Sequence, residues 1–318
     1  MHFSHDPSLI YRFGTDTNND PRSAYNRVRT PSTFEYRAQI LCRWGQQEMN
    51  KDIHASAVID PSAKLGDGVA VGPNAVIGAD VTLGEGTQVG ASAQVYGPSR
   101  IGKKNRIFPH SCVGFEPQDL KFGGGETHLE VGDGNRFREF STVHRGTEEG
   151  GGVTSIGDDN LFMVYTHVAH DCHVGSRTVF SNAATLAGHV VVDDDSTIGA
   201  FSAVHQFCRV GRHAYIGGYS VITKDALPWV KTVGIKPACY GVNKIGLERK
   251  SLDDDSIKLI SAAMRLILRS NLNTTQAIER MTEELGESEE IAYLIEFLNS
   301  SQRGVLTALP GRRGARGG

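Results

Sequence analysis

The chain has 318 residues, a formal net charge of −3 and a pI near 6.5. That balance gives no global reason to expect a nucleic-acid partner, and no run approaches the ~18 apolar residues of a membrane-spanning helix. Its five cysteines, Cys42, Cys112, Cys172, Cys208 and Cys239, are scattered without a Cys-x-x-Cys pair. They read as reduced thiols of a cytoplasmic protein, not as a disulfide framework.

Residues 1–48 are polar, carry turn signals at Thr17-Asn-Asn-Asp-Pro21 and show no sustained period. They are expected to form a disordered extension, with Met49 as an alternative start. The first residues lack a basic stretch followed by an apolar one, so no signal peptide is expected.

A six-residue repeat then runs from Ile53 to about Ala226, within a domain assigned to 49–242. Its first position is apolar at Ile53, Ile59, Leu65 and every sixth residue to Val113. It is apolar again at Val131, Phe137 and Val143, and from Ile156 every sixth residue to Ile222. Six residues suit a short strand and a corner, and three such faces close one coil of a solenoid. Identical faces then recur every 18 residues at about 4.8 Å spacing. Many of the 37 glycines directly follow the apolar position, as at Gly66, Gly84 and Gly175, which implies a tight, repeated backbone feature.

Two interruptions, Gln118–Glu130 and Glu148–Ser155, are expected to leave the solenoid as site-building loops. After Val242 the period turns helical. Ser251 with Asp254 resembles a capping box, and further helices are expected near 274–285 and 288–299. The helical domain is assigned to 243–302, and a Gly/Arg-rich disordered tail to 303–318.

Phasing at 18 residues puts His170, His189 and His205 on one face in successive coils. His144 joins them if the second interruption adds its residues to a single hexad. Three readings fit. Exposed imidazoles can simply be solvated. His167-x2-His170-x2-His173 could hold zinc if its rings converged at about 2.0–2.1 Å from the ion. Or one imidazole acts as general base while its neighbours bind polar substrate groups. In the third reading Asp171, next in sequence to His170, could orient the ring.

Four motifs carry a more specific signal: Thr166-His-Val-Ala-His-Asp-Cys172, Asn182-Ala-Ala-Thr-Leu-Ala-Gly-His189, Ala203-Val-His-Gln-Phe-Cys208 and Gln118-Asp-Leu-Lys121. Together, over about 50–300, they resemble the UDP-N-acetylglucosamine O-acyltransferases that begin lipid A synthesis. The resemblance implies an all-β left-handed parallel β-helix followed by a small α-helical C-terminal domain. It also implies transfer of an R-3-hydroxyacyl chain from acyl carrier protein to the 3-hydroxyl of UDP-N-acetylglucosamine, in the bacterial cytoplasm, by a homotrimer with no metal or other cofactor. His170 then matches the general base, Asp171 its partner and Gly188 the oxyanion donor. Gln118, Asp119, Lys121, His144 and His167 match positions that hold the sugar and its phosphates. His189, His205 and Gln206 match acyl-channel and nucleotide contacts, and Asn243, Arg249 and Lys250 match the nucleotide end. Ile245 replaces a glutamate found in some members. Gly218 matches the position that sets acyl length, and glycine there implies a chain of about 14 carbons, although Tyr219 beside it could narrow the channel. Arg249, Lys250, Arg265 and Arg269 are candidate contacts for the acidic carrier protein. The alternatives are the related N-acyltransferase, which usually has an additional uridine-binding domain, a coenzyme-A-dependent acetyltransferase, a zinc protein of the carbonic anhydrase kind, or a non-catalytic scaffold.

Overall fold

The structure is a computed structural model that describes residues 52–311. Residues 1–48, expected to be disordered, and the chain from 312 lie outside the described residues.

The repeat folds into a left-handed parallel β-helix with three sheets. Sheet 1 has nine strands and begins at Val58–Ile59; sheet 2 has eight and begins at Lys64–Leu65. Sheet 3 has ten, begins at Ala70–Val71, and ends in an antiparallel pair, Val230–Val233 with Ala238–Val242. Register follows the 18-residue period, as in Val168↔Leu186↔Val204. Val143 pairs with Val168 across the second interruption, so that insertion does add its residues to a single hexad.

Apolar first positions fill the interior. Val71, Ile77, Leu83 and their successors through Ile222 are buried. Ile53, in the first described coil, is 42% exposed. The phenyl rings of Phe137, Phe162 and Phe180 stack through the core at 4.9 and 4.8 Å, the spacing of the coils themselves.

The glycines that follow the apolar position do not make the turns. The αL residue lies two places later, at the fourth position of most hexads: Asn74, Asp159, Asp171 and His189 have φ of 56°, 55°, 58° and 60°. The glycines serve close coil contact instead. A Cβ on Gly84 would stand 2.5 Å from the Gly102 carbonyl carbon in the next coil.

Both interruptions leave after a sheet 1 strand and re-enter in sheet 2, so they emerge from one corner, here the 1/2 corner. Their last residues are already strand, and the two strands pair with each other, His128↔Val153 to Val131↔Ile156. The loops proper are therefore 116–127 and 145–152.

Four helices follow: α1 (Lys244–Arg249), α2 (Asp254–Leu268), α3 (Thr274–Leu285) and α4 (Glu289–Asn299). Ser251 does not cap α2. It sits at φ 61° in the link from α1, and Asp253 caps by accepting from the Asp255 and Ser256 amides. The capping box lies instead on α3, between Asn273 and Gln276. Helix α4 docks on the solenoid through Tyr293, whose hydroxyl donates to Asp193 and accepts from the Arg212 amide. The expected disordered tail begins too early at 303. Val305 bridges Asp225, Leu306 is buried, and the Cys239 amide donates to the Ala308 carbonyl. No described helix is long and apolar enough to cross a membrane.

Candidate active site

The 1/2 corner gathers the histidine chemistry. Asp171 occupies an αL turn position and is 2% exposed. Its Oδ2 accepts from His170 Nδ1 at 2.7 Å. The Thr147 amide donates to Oδ1 at 2.8 Å and the Thr147 hydroxyl to Oδ2 at 2.7 Å. With Nδ1 committed to the carboxylate, a neutral His170 keeps its lone pair on Nε2. The Gly188 backbone lies beside this ring: a Cβ there would stand 2.5 Å from Cε1 and 2.8 Å from Nε2. The Gly188 N–H has no backbone hydrogen-bond partner among the described residues.

His189, one coil on, meets His170 edge to face at 5.2 Å and stacks on Phe207 at 4.5 Å. Burial lowers its pKa, opposed by the Asp171 charge. On the other side His144 and His167 form a second edge-to-face pair at 5.2 Å. His144 Nδ1 donates to the Glu116 carbonyl at 2.6 Å, so the neutral ring presents Nε2 as an acceptor. Burial pushes the His144 pKa down, and that of His167 to about 4. Both rings are therefore neutral at pH 7 and act as hydrogen-bonding groups, not cations.

The two loops meet over this corner. Lys121 approaches Glu149 at 3.5 Å, and the Lys121 amide donates to Asp119. Gln118 is exposed on the same loop. His205 and Gln206 sit two coils from His170 without joining its contacts. The Arg303 guanidinium donates to His205 Nδ1 at 3.3 Å, a partner invisible to the repeat.

The remaining expected site residues stand elsewhere on the prism. Asn243 donates to the His213 carbonyl, and Lys250 pairs with Asp195 at 2.8 Å, both at the 2/3 corner. Arg249 is exposed at the end of α1. Gly218 lies at the 3/1 corner, where an added Cβ would meet only Ala200, at 3.2 Å from its carbonyl oxygen. His167, His170 and His173 do not converge as zinc ligands would. His167 is bonded to Thr142, and His173 faces Ser155 from sheet 2. The described residues do bring ligand atoms of His170, Asp171 and His189 within 4.8 Å of one another. There both carboxylate oxygens already accept hydrogen bonds.

A parallel β-helix with an Asp-oriented imidazole beside an uncommitted glycine N–H defines an acyltransferase of the hexapeptide-repeat class. Family models agree: residues 189–224 match the bacterial transferase hexapeptide (six repeats), and 225–306 match domain 2 of the UDP-N-acetylglucosamine O-acyltransferases. The chain is 48% identical over 258 residues to an acyl-[acyl-carrier-protein]–UDP-N-acetylglucosamine O-acyltransferase of Stenotrophomonas maltophilia, covering 80% of this chain and 97% of that one. It is 45% identical to the protein of the same name from Halorhodospira halophila, over 80% and 98% of the two chains. A solved structure of the Acinetobacter baumannii relative superposes with a TM-score of 0.78 at 41% identity, over 80% and 99%. The chain belongs to the UDP-N-acetylglucosamine O-acyltransferase family.

Proposed function

We propose that this protein transfers an R-3-hydroxyacyl chain from acyl carrier protein to the 3-hydroxyl of UDP-N-acetylglucosamine, the first step of lipid A synthesis. The observation that carries the mechanism is the 2.7 Å His170–Asp171 pair with its Nε2 side open beside Gly188. His170 Nε2 takes the proton of the sugar hydroxyl as its oxygen attacks the thioester carbonyl. Asp171 stabilises the imidazolium that forms, and the Gly188 N–H receives the tetrahedral oxyanion. Collapse breaks the C–S bond, and the carrier-protein thiolate leaves with the proton returned by His170. No step requires a cofactor. Cys172 takes no part, because burial pushes its thiol up to about 12.

His144 and His167 bind sugar hydroxyls as neutral rings, with Gln118, Asp119 and Lys121 on the loop above. Asn243, Arg249 and Lys250 hold the nucleotide end, and Gly218 bounds the acyl chain. These groups occupy three different corners of one prism, and one substrate can touch all of them only where corners of neighbouring copies meet. That geometry supports a homotrimer. So do Phe140, Tyr165, Phe201 and Tyr219, which are 45–67% exposed along the 3/1 corner and stack in pairs (Phe140 on Tyr165, Phe201 on Tyr219).

For the carrier protein, a cleft of about 450 Å³ between the last hairpin and α2 sets Lys244, Arg265 and Arg269 around Val242, Met264, Leu268 and Leu309. Cations around an apolar floor suit an acidic amphipathic partner. Lys250 is the poorer candidate there, since Asp195 already holds it. The protein acts in the bacterial cytoplasm, in keeping with thiols that are all free among the described residues.

The test is a product mass spectrum from UDP-N-acetylglucosamine and a mixed pool of acyl carrier proteins. A singly O-acylated nucleotide sugar is expected. Acylation only of a UDP-3-O-acyl-glucosamine acceptor would identify the N-acyltransferase reaction instead.

A further inference from the structure

Thr147 belongs to none of the sequence motifs, yet it makes two of the three hydrogen bonds to the Asp171 carboxylate. Its amide holds Oδ1 at 2.8 Å and its hydroxyl holds Oδ2 at 2.7 Å, while His170 Nδ1 donates to the same Oδ2. Gripping both oxygens from one residue fixes the plane of the carboxylate, which a single bond to His170 would leave free to rotate. The Gly150 amide, shared with the Thr147 carbonyl at 3.1 Å, also donates to the Thr147 hydroxyl oxygen at 3.1 Å, which directs the hydroxyl proton towards Asp171. The loop thus runs as a relay, from Gly150 N–H to Thr147 O–H to Asp171 to His170.

The loop also closes over the acid. A Cβ on Gly150 would stand 2.1 Å from the Asp171 carboxyl carbon, so only glycine lets the backbone lie this close. Thr147 itself is 4% exposed. From the other side Thr154 Oγ1 accepts from the Asp171 amide at 2.8 Å, which pins the turn. Both threonines flank the glycine run Gly150–Gly152, so the second interruption of the repeat is built around this one carboxylate.

We propose that Thr147 is a positioning residue for the acyl transfer: through the Gly150-backed bridge it orients Asp171, and through Asp171 the His170 ring, so that Nε2 faces the acceptor hydroxyl. The proposal rests on the reading of His170 as general base. Thr147 does not face the substrate. Its loss should therefore lower kcat and leave binding of the sugar nucleotide alone.

The experiment compares Thr147→Val, Thr147→Ser and His170→Ala in the full-length protein. It uses UDP-N-acetylglucosamine and R-3-hydroxyacyl carrier protein, with a thermal midpoint for each variant. Thr147→Val should reduce kcat about tenfold or more while KM for UDP-N-acetylglucosamine stays within about twofold. Thr147→Ser, which keeps the hydroxyl, should recover most of that loss. Added to His170→Ala, Thr147→Val should cost nothing further, because the relay then has no base to orient. Should Thr147→Val not fold, Gly150→Ala, whose methyl displaces the carboxylate, should give the same kcat-only signature. A Thr147→Val enzyme with wild-type kcat, a serine variant as impaired as the valine one, or an additive loss in the double variant would overturn the proposal. Wild-type turnover by His170→Ala would instead remove the base assignment on which it rests.

Discussion

Gly188 lies against the face of the His170 imidazole so closely that a single methyl group there would stand 2.8 Å from Nε2. In the proposed mechanism the glycine does two jobs, of which only one uses its N–H. Alanine keeps that N–H and removes the room. Gly188→Ala should lower kcat roughly a hundredfold, because a ring pushed aside by about an ångström loses alignment with the attacking hydroxyl. Steady-state kinetics with circular dichroism checks this; a folded alanine variant with wild-type kcat would contradict it.

The His144–His167 pair makes stability depend on pH in a defined direction. The His167 pKa falls to about 4 and that of His144 is lowered too, both chiefly by burial. Unfolded histidines titrate near 6.5. Between these values the unfolded chain binds protons that the folded chain refuses, so stability is full above about 6.5 and is lost as pH falls towards 4. The thermal midpoint should drop across this window, and His167→Asn should flatten the drop. Identical pH slopes for the two proteins would show that His167 is not held neutral.

Separation of the groups on one prism gives a test of assembly. His170 stands at the 1/2 corner, whereas Lys250 pairs with Asp195 at the 2/3 corner. If one site draws on both corners from neighbouring copies, then His170→Ala and an Arg249→Glu/Lys250→Glu variant, each nearly inactive alone, should recover activity when co-expressed. Mixed trimers would contain sites built from one intact copy of each part. Absence of complementation in verified mixed assemblies would place every site within one chain.

Gly218 leaves an open space bounded only by the Ala200 backbone. Filling it should shorten the cavity by several carbon lengths. Gly218→Met should move the preferred donor from about 14 carbons to about 10, read by competition between acyl carrier proteins. An unchanged preference would mean that the acyl chain runs elsewhere.

The hexad period read out sheet membership and register within each uninterrupted run, because a buried apolar position is a local consequence of the strand. Across the second interruption it left the phase conditional, which the Val143↔Val168 pairing supplies. It could not explain the glycines, whose reason is a backbone one coil away in space and 18 residues away in sequence, as for Gly84 and Gly102. Ser251 looked like a cap because residue types two apart were equally suited, and Asp253 won through its bonds to the Asp255 and Ser256 amides. Phasing placed His170, His189 and His205 in successive coils, but they stand at different positions within their hexads. Only the first two meet, while His205 turns to Arg303. Thr147 carried one usable signal, its place three residues before a glycine run. Nothing in sequence ties that run to Asp171, since the link is a loop folding back over 24 residues.

The central claim is that His170, oriented by Asp171, removes the acceptor proton. Turnover of UDP-N-acetylglucosamine by folded His170→Ala tests it most directly, with the acylated nucleotide sugar quantified by mass spectrometry. Loss of a general base should lower kcat by about 10² to 10⁴ with an unchanged circular dichroism spectrum. A folded His170→Ala protein that forms product at a rate close to wild type would contradict the assignment.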